Sequence, residues 1–194
     1  VTAATANSLP AWPARSGGEI APDVLRRAKA GDARAFTEVV RHYDDRLRAL
    51  AHRLLGDRAA MDDALQEAYV KAFRALPGFR EDAGLGTWLY SITYRACVDL
   101  HRRESRHRPA PQDRPGGAGT SADPATTAAT RTDLIRALAA LPVDQRAAVL
   151  LVDAEGLDYD AAAAVLGVAP GTIASRLSRA RAALRAALTE GETR

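Results

Sequence analysis

The sequence predicts an all-α chain: two small helical domains joined by a flexible linker, the second containing a helix-turn-helix. Three observations carry that expectation. Alanine and arginine dominate, aromatic residues make up only 5%, and β-branched runs are scarce, a balance that favours helix. The stretch 109–130, PAPQDRPGGAGTSADPATTAAT, holds four prolines, three glycines and no large apolar residue, so it lacks the means to build a core. Residues 157–184, LDYDAAAAVLGVAPGTIASRLSRARAAL, read as two helical patterns that turn at Gly167.

Taken in order, the elements follow from their punctuation. Residues 1–19, rich in Ala, Pro, Thr and Ser, are expected to be disordered. The first domain, 20–108, parses into four helices. Pro22 sits at a helix start and Gly31 ends that short helix. Asp32 caps the next, which carries Phe36, Val39, Tyr43, Leu47, Leu50 and Leu54 at helical spacing until Gly56 stops it. A third helix over 59–76 closes at Pro77-Gly78, a loop follows over 79–86, and a fourth helix covers 87–103. The linker is placed at 109–131, the second domain at 132–188 and a tail at 189–194. A hydrophobic fraction of 47% over 194 residues permits cores of this size.

The final helical pattern is built like a reading head for duplex DNA. Small Ala163 precedes the turn, allowing close helix approach, and Gly167 supplies a backbone free to adopt positive φ. Beyond it Ile173, Leu177, Ala180 and Leu184 make one apolar face, while Thr172, Ser175 and Arg179 project from the other side with Arg176 on its flank. Charge is segregated in the same sense. From Asp133 to Val168 two arginines face six acids, whereas from Ala169 to Ala187 there are four arginines and no acid. A helix charged only positively on an otherwise acidic module is a footprint for phosphate.

Two helices of the first domain draw attention for other reasons. In 62–76 the buried face is expected to be Leu65, Tyr69, Ala72, Phe73 and Leu76, leaving Asp63, Gln66, Glu67, Val70 and Arg74 outside. Pattern alone makes that outer side a solvated face with a Glu67–Lys71 pair contributing a few tenths of a kcal/mol. In 86–103 Trp88, Leu89, Ile92, Ala96 and Leu100 share a face, with Tyr90, Tyr94, Arg95 and Arg102 largely off it. Aromatics interleaved with arginines suit stacking on unpaired bases, although Trp88 taken by itself reads more readily as core than as a base platform.

Four segments in order resemble one family: AKAGDARAF (28–36), DDALQEAYVKAF (62–73), GTWLYSI (86–92) and LPVDQRAAVLLVDAEGLDYDAAAAVLGVAPGTIASRLSRAR (141–181). They are similar to the extracytoplasmic-function (ECF) sigma factors of bacterial RNA polymerase. The resemblance implies a binding protein rather than an enzyme, an alternative sigma factor that directs promoter-specific initiation. It implies that Asp63, Gln66, Glu67 and Val70 contact the clamp of the polymerase largest subunit, reversing the solvated-face reading, and that the flap is a second contact. It implies that Phe79, Arg80, Thr87, Trp88, Tyr90, Ser91, Tyr94 and Arg95 serve −10 element melting, where an extruded base is repaid by a pocket. Thr172, Ser175, Arg176 and Arg179 would read the −35 element. Promoter DNA and an anti-sigma factor complete the implied partners. This chain departs from the family at Ala174, where a basic residue is usual, at Ala169 in place of a capping serine, at Arg95 in place of asparagine, and at Leu85-Gly86 in place of an aromatic-basic pair. Ala161 to Ala164 is expected to underfill the first helix of the motif.

A dimeric helix-turn-helix regulator explains the last domain but leaves the helices at Asp63 and Trp88 without a role. Gly84-Leu85-Gly86-Thr87 lacks the lysine and preceding strand of a phosphate-binding loop. His42, His52, His101 and His107 make no constellation with Cys97 or the acids, so no metal or cofactor is called for. A lone cysteine points to a reducing, cytoplasmic setting. No apolar run is long enough to insert in a membrane, and no signal-peptide core opens the chain. Val1 in place of Met points to processing or a non-standard start.

Overall fold

The structure is a computed structural model and describes residues 20–107 and 125–192; the expected disordered segment 1–19 and most of the expected linker lie outside the described residues. The described residues are helical, with no strand among them. The N-terminal half contains α1 (Pro22–Lys29), α2 (Ala33–Leu55), α3 (Arg58–Ala75) and α4 (Leu85–His107). The C-terminal half contains α5 (Ala125–Ala140), α6 (Val143–Val149), α7 (Tyr159–Leu166) and α8 (Pro170–Glu192).

Local chemistry sets the helix ends. Asp32 Oδ1 accepts from the backbone N–H groups of Arg34 and Ala35 at 2.8 and 3.2 Å, satisfying two orphan donors of α2. Those bonds hold its carboxyl below the ordinary aspartate range. Asp57 caps α3 through Ala60 N–H at 2.9 Å, and Asp158 caps α7 through Ala161 N–H at 2.7 Å. Gly167 closes α7 at φ +66°, and the next amide, of Val168, donates to Ala163 O at 3.1 Å.

Several boundaries differ from expectation: α4 runs to His107 rather than 103, and α8 runs to Glu192, into the stretch placed in the tail. Helix α5 begins at Ala125, inside the stretch placed in the linker. Its first residues, ATTAATR, contain helix-favouring alanines and neither glycine nor proline, so the breakers of the linker end at Pro124. Helix α4 starts at Leu85 rather than Thr87. Glycine suits position 86 because α4 passes close to α2 there: a Cβ would stand 3.1 Å from the Tyr43 ring.

Leu47, Leu50 and Leu54 of α2, Met61, Leu65 and Ala68 of α3, and Leu89, Ala96 and Cys97 of α4 fill the first core. The second is built from Leu151, Val165, Leu166, Ile173, Leu177 and Leu184, with Ala147, Ala162, Ala163 and Ala180 letting the backbones close up. The two are continuous, because α4 packs on α7 and α2 touches α5 and α6. Phe73 departs from its expected burial: it is 38% exposed and meets Phe36 edge to face, ring centroids 5.1 Å apart.

Candidate nucleic-acid interface

Helices α7 and α8 cross at 95° about the Gly167 turn, within the range for a helix-turn-helix. Ile173, Leu177, Ala180 and Leu184 are buried, as their spacing requires. Of the four arginines on α8, two are already answered within the fold. Arg181 makes a two-pronged pair with Asp153, at 2.5 and 3.1 Å, and Arg176 meets Asp144 at 3.1 Å with only 18% of its side chain exposed. Arg179 and Arg185 remain on the open face. Arg179 folds back along its own helix, its Nε 3.3 Å from Ser175 O, a contact readily exchanged for a stronger acceptor. Thr172 and Ser175 are half-buried beside it, and the Ser175 hydroxyl donates to Thr172 O at 2.9 Å. The positive face is thus narrower than the charge count implied.

A π turn over Leu150–Ala154 continues α6 and explains the acid partners. The amides of Glu155 and Leu157 donate to Leu150 O and Leu151 O, at 2.9 and 3.0 Å, widening the backbone. That wider turn re-aims the residues that follow: Asp153 faces Arg181, and Glu155 reaches the first half, where its Oε2 accepts from the Tyr90 hydroxyl at 2.5 Å.

The expected −10 residues do not share one surface. Phe79 is buried at 7% exposure and leans on Trp88, centroids 5.0 Å apart, so it supports its loop from beneath. Tyr90, read as lying off the apolar face, is 4% exposed because α7 and the π turn cover it. Burial and the Glu155 carboxylate push its phenol far above the ordinary tyrosine range. Ser91 spends its hydroxyl on Trp88 O at 2.7 Å. Arg80 is exposed and pairs with Asp82 at 3.2 Å, Thr87 is half-buried, and Arg95 is exposed. Tyr94 and Arg95 open onto a cleft of about 520 Å³ between the halves, lined also by Asp99, Arg102, Asp144 and Arg176.

The acidic helix behaves differently. Asp63, Gln66, Glu67 and Val70 line one shallow groove along α3 with Lys71 and Arg74. Val70 is 44% exposed and stands next to the exposed Phe73 ring along the helix, an apolar strip flanked by charge. Glu67 accepts from Lys71 Nζ at 2.7 Å and faces Arg103 at 3.6 Å. The lysine bond lowers its carboxyl, so this pairing weakens only as pH falls through and below the ordinary glutamate range. Cys97 is buried, its thiol pushed up to about 12 by loss of solvent, which leaves no thiolate at neutral pH.

Sequence reasoning missed Lys29, Asp144, Arg146 and Glu155 as organising residues. Each acts on a partner far away in the chain, and no spacing rule reports that. The one signal available was the presence of Arg146 as a cation in an acidic, apolar stretch.

Residues 39–107 match the family described as Sigma-70 region 2, and residues 131–184 match Sigma-70, region 4. The chain is 40% identical over 162 residues to the ECF RNA polymerase sigma factor SigM of Mycobacterium tuberculosis, covering 84% of this chain and 81% of that protein. It is 31% identical over 175 residues to the ECF RNA polymerase sigma-E factor of Escherichia coli, covering 83% and 90%. Among solved structures it is similar to CnrH in complex with the cytosolic domain of CnrY, with TM-score 0.65 and 26% identity over 87% of this chain and 96% of that one. It is likewise similar to RpoE in complex with the anti-sigma factor NepR from Bartonella quintana, with TM-score 0.64 and 29% identity over 79% and 96%. With both sigma regions in order on two helical halves, and relatives aligned over most of their length, the chain belongs to the ECF sigma factors, alternative sigma factors that bind RNA polymerase and direct transcription from promoters.

Proposed function

We propose that the two halves divide the work of initiation, and that the chain contributes binding rather than chemistry. The α3 groove with Asp63, Gln66, Glu67 and Val70 docks on the clamp of the polymerase largest subunit, and region 4 meets the flap. Loop 79–84 and the start of α4, with Arg80, Thr87, Trp88, Tyr94 and Arg95, open the −10 element and hold an unpaired base. Arg179, with Thr172 and Ser175 beside it, reads the −35 element as duplex. Arg176 joins it once its Asp144 pairing is exchanged for DNA. The observation that carries this reading is the 95° α7–α8 crossing, with Arg179 and Arg185 exposed on α8 while Asp144 and Asp153 pair with Arg176 and Arg181. Such work belongs in the cytoplasm, beside polymerase. An anti-sigma factor is a fitting further partner, since the two similar solved structures are both complexes, one of them named as an anti-sigma complex.

The test is transcription by core RNA polymerase on fragmented genomic DNA, with and without the protein. New starts that share two upstream motifs are expected. An absence of new starts, with core binding intact, would defeat the assignment of loop 79–84 and the α8 face to promoter reading. Two substitutions separate the surfaces. Arg179→Ala is expected to lower promoter-specific transcription by the ~1–3 kcal/mol of one good base contact, about 5- to 150-fold, with core binding intact. Asp63→Lys is expected to weaken core binding first, because a reversed charge meets a surface complementary to the original. Loss of the same function in both variants would defeat the division of labour.

A further inference from the structure

We propose that Lys29 is a positioning residue for the −10-reading loop, acting through the loop's backbone without touching DNA. The proposal rests on the assignment of loop 79–84 to the −10 element. Lys29 closes α1, ahead of the span that matches Sigma-70 region 2, whereas the loop lies within that span, 50 residues on. Its Nζ donates to Phe79 O at 2.8 Å and to Glu81 Oε1 at 2.7 Å, and stands 5.8 Å from the centroid of the Phe79 ring. Only 27% of the Lys29 side chain is exposed, so the ammonium is largely enclosed by these partners.

Glu81 has φ +62° and is the one non-glycine residue with positive φ among the described residues. An L residue holds that conformation when its surroundings fix it, and strain of this kind collects at binding sites. The contact to Lys29 is what fixes it. The loop then alternates: Phe79 and Glu81 turn toward Lys29, while Arg80 and Asp82 stand outward, 84% and 74% exposed, and pair with each other. From the other side Trp88 holds the Phe79 ring. Two acceptors on one ammonium and a ring on one indole thus fix the loop's first residues before any base arrives. A loop ordered in advance loses less freedom on binding and presents one geometry, which is how it discriminates among bases.

The test uses the full chain assembled with core polymerase and single-stranded non-template oligonucleotides carrying the −10 sequence recovered by start mapping, together with its single-base variants. The readout is the ratio of affinities for matched and mismatched bases. That ratio does not move if part of the sample is misfolded, so a purely structural brace leaves it unchanged. Lys29→Met keeps the stem and removes the donor, and is expected to lower the ratio about tenfold, the scale of a charge-assisted hydrogen bond. Core affinity and −35 duplex affinity should stay within twofold. Lys29→Arg, able to donate to both acceptors, should restore most of the ratio, and Glu81→Ala, which removes the side-chain acceptor, cuts the same link from the loop side should Lys29→Met fold poorly. A ratio unchanged in both Lys29→Met and Glu81→Ala, while Arg80→Ala lowers it, overturns the role of Lys29 and spares the loop assignment. A ratio unchanged in Arg80→Ala, and in a variant with residues 80–83 replaced by Gly-Ser, overturns the loop assignment and the role of Lys29 with it.

Discussion

Arg146→Ala is expected to part the two halves of the molecule. The Arg146 guanidinium donates to Leu54 O at 2.8 Å and Arg53 O at 3.3 Å in the last turn of α2, and to Leu141 O at 3.0 Å and Ala139 O at 2.5 Å at the end of α5. One cation therefore satisfies the orphan carbonyls of two helix ends, one in each half, where helix dipoles favour positive charge. Burial lowers its pKa from the ordinary arginine value, and Nε finds no partner among the described residues, so the group is held by its carbonyls rather than by solvent. Removing it leaves those acceptors to water, and a hydrogen bond to a charged group contributes about 1.5–3 kcal/mol net.

A larger radius of gyration by small-angle scattering and faster amide hydrogen exchange across the α4–α7 contact should follow. Tyr90→Phe, which removes only the hydroxyl that meets Glu155, should shift the same observables less. An unchanged radius in both variants would mean that the α4–α7 packing alone holds the halves together. The consequence for function is direct. The −10 and −35 elements lie roughly 25 base pairs apart, about 85 Å of duplex, whereas here the helices assigned to them sit in one packed unit. On the proposed assignment the packed form does not reach both elements at once, so a variant that opens more readily should bind promoter DNA with core polymerase more tightly, by up to ~10-fold where the packed form dominates.

Ile173→Ala should remove region 4 while leaving region 2 at work. Ile173 is fully buried at the α7–α8 crossing, where α7 offers Ala162, Ala163, Val165 and Leu166. Truncating a buried isoleucine to alanine costs about 2–5 kcal/mol, and alanines opposite it have no longer side chain to swing into the cavity. A unit of this size has ~5 kcal/mol or little more to lose. Calorimetry should then show the weaker of two transitions moving down or vanishing. Promoter-specific transcription should fall to background, with core binding through the α3 groove retained. Loss of core binding as well would show that the halves do not fold independently.

The sequence alone determined what depends on residues within one turn of each other. Asp32, Gly56 and Gly167 end helices where they were expected to, because a cap needs only its own side chain and the next three amides, or a backbone free to take positive φ. The apolar face of α8 and the gathering of Asp63, Gln66, Glu67 and Val70 in one groove are equally local, set by a 3.6-residue period. Tertiary packing decided the rest. Phe79 went inward because Trp88 and Lys29 were there to receive it, and Phe73 was left half outside because the neighbouring helices did not cover it. Tyr90 lost its open face to Glu155, 65 residues away, and the charge of Arg176 and Arg181 was answered by acids 32 and 28 positions back. A count of arginines measures charge on a helix; only the packing of distant segments determines how much of it still faces DNA.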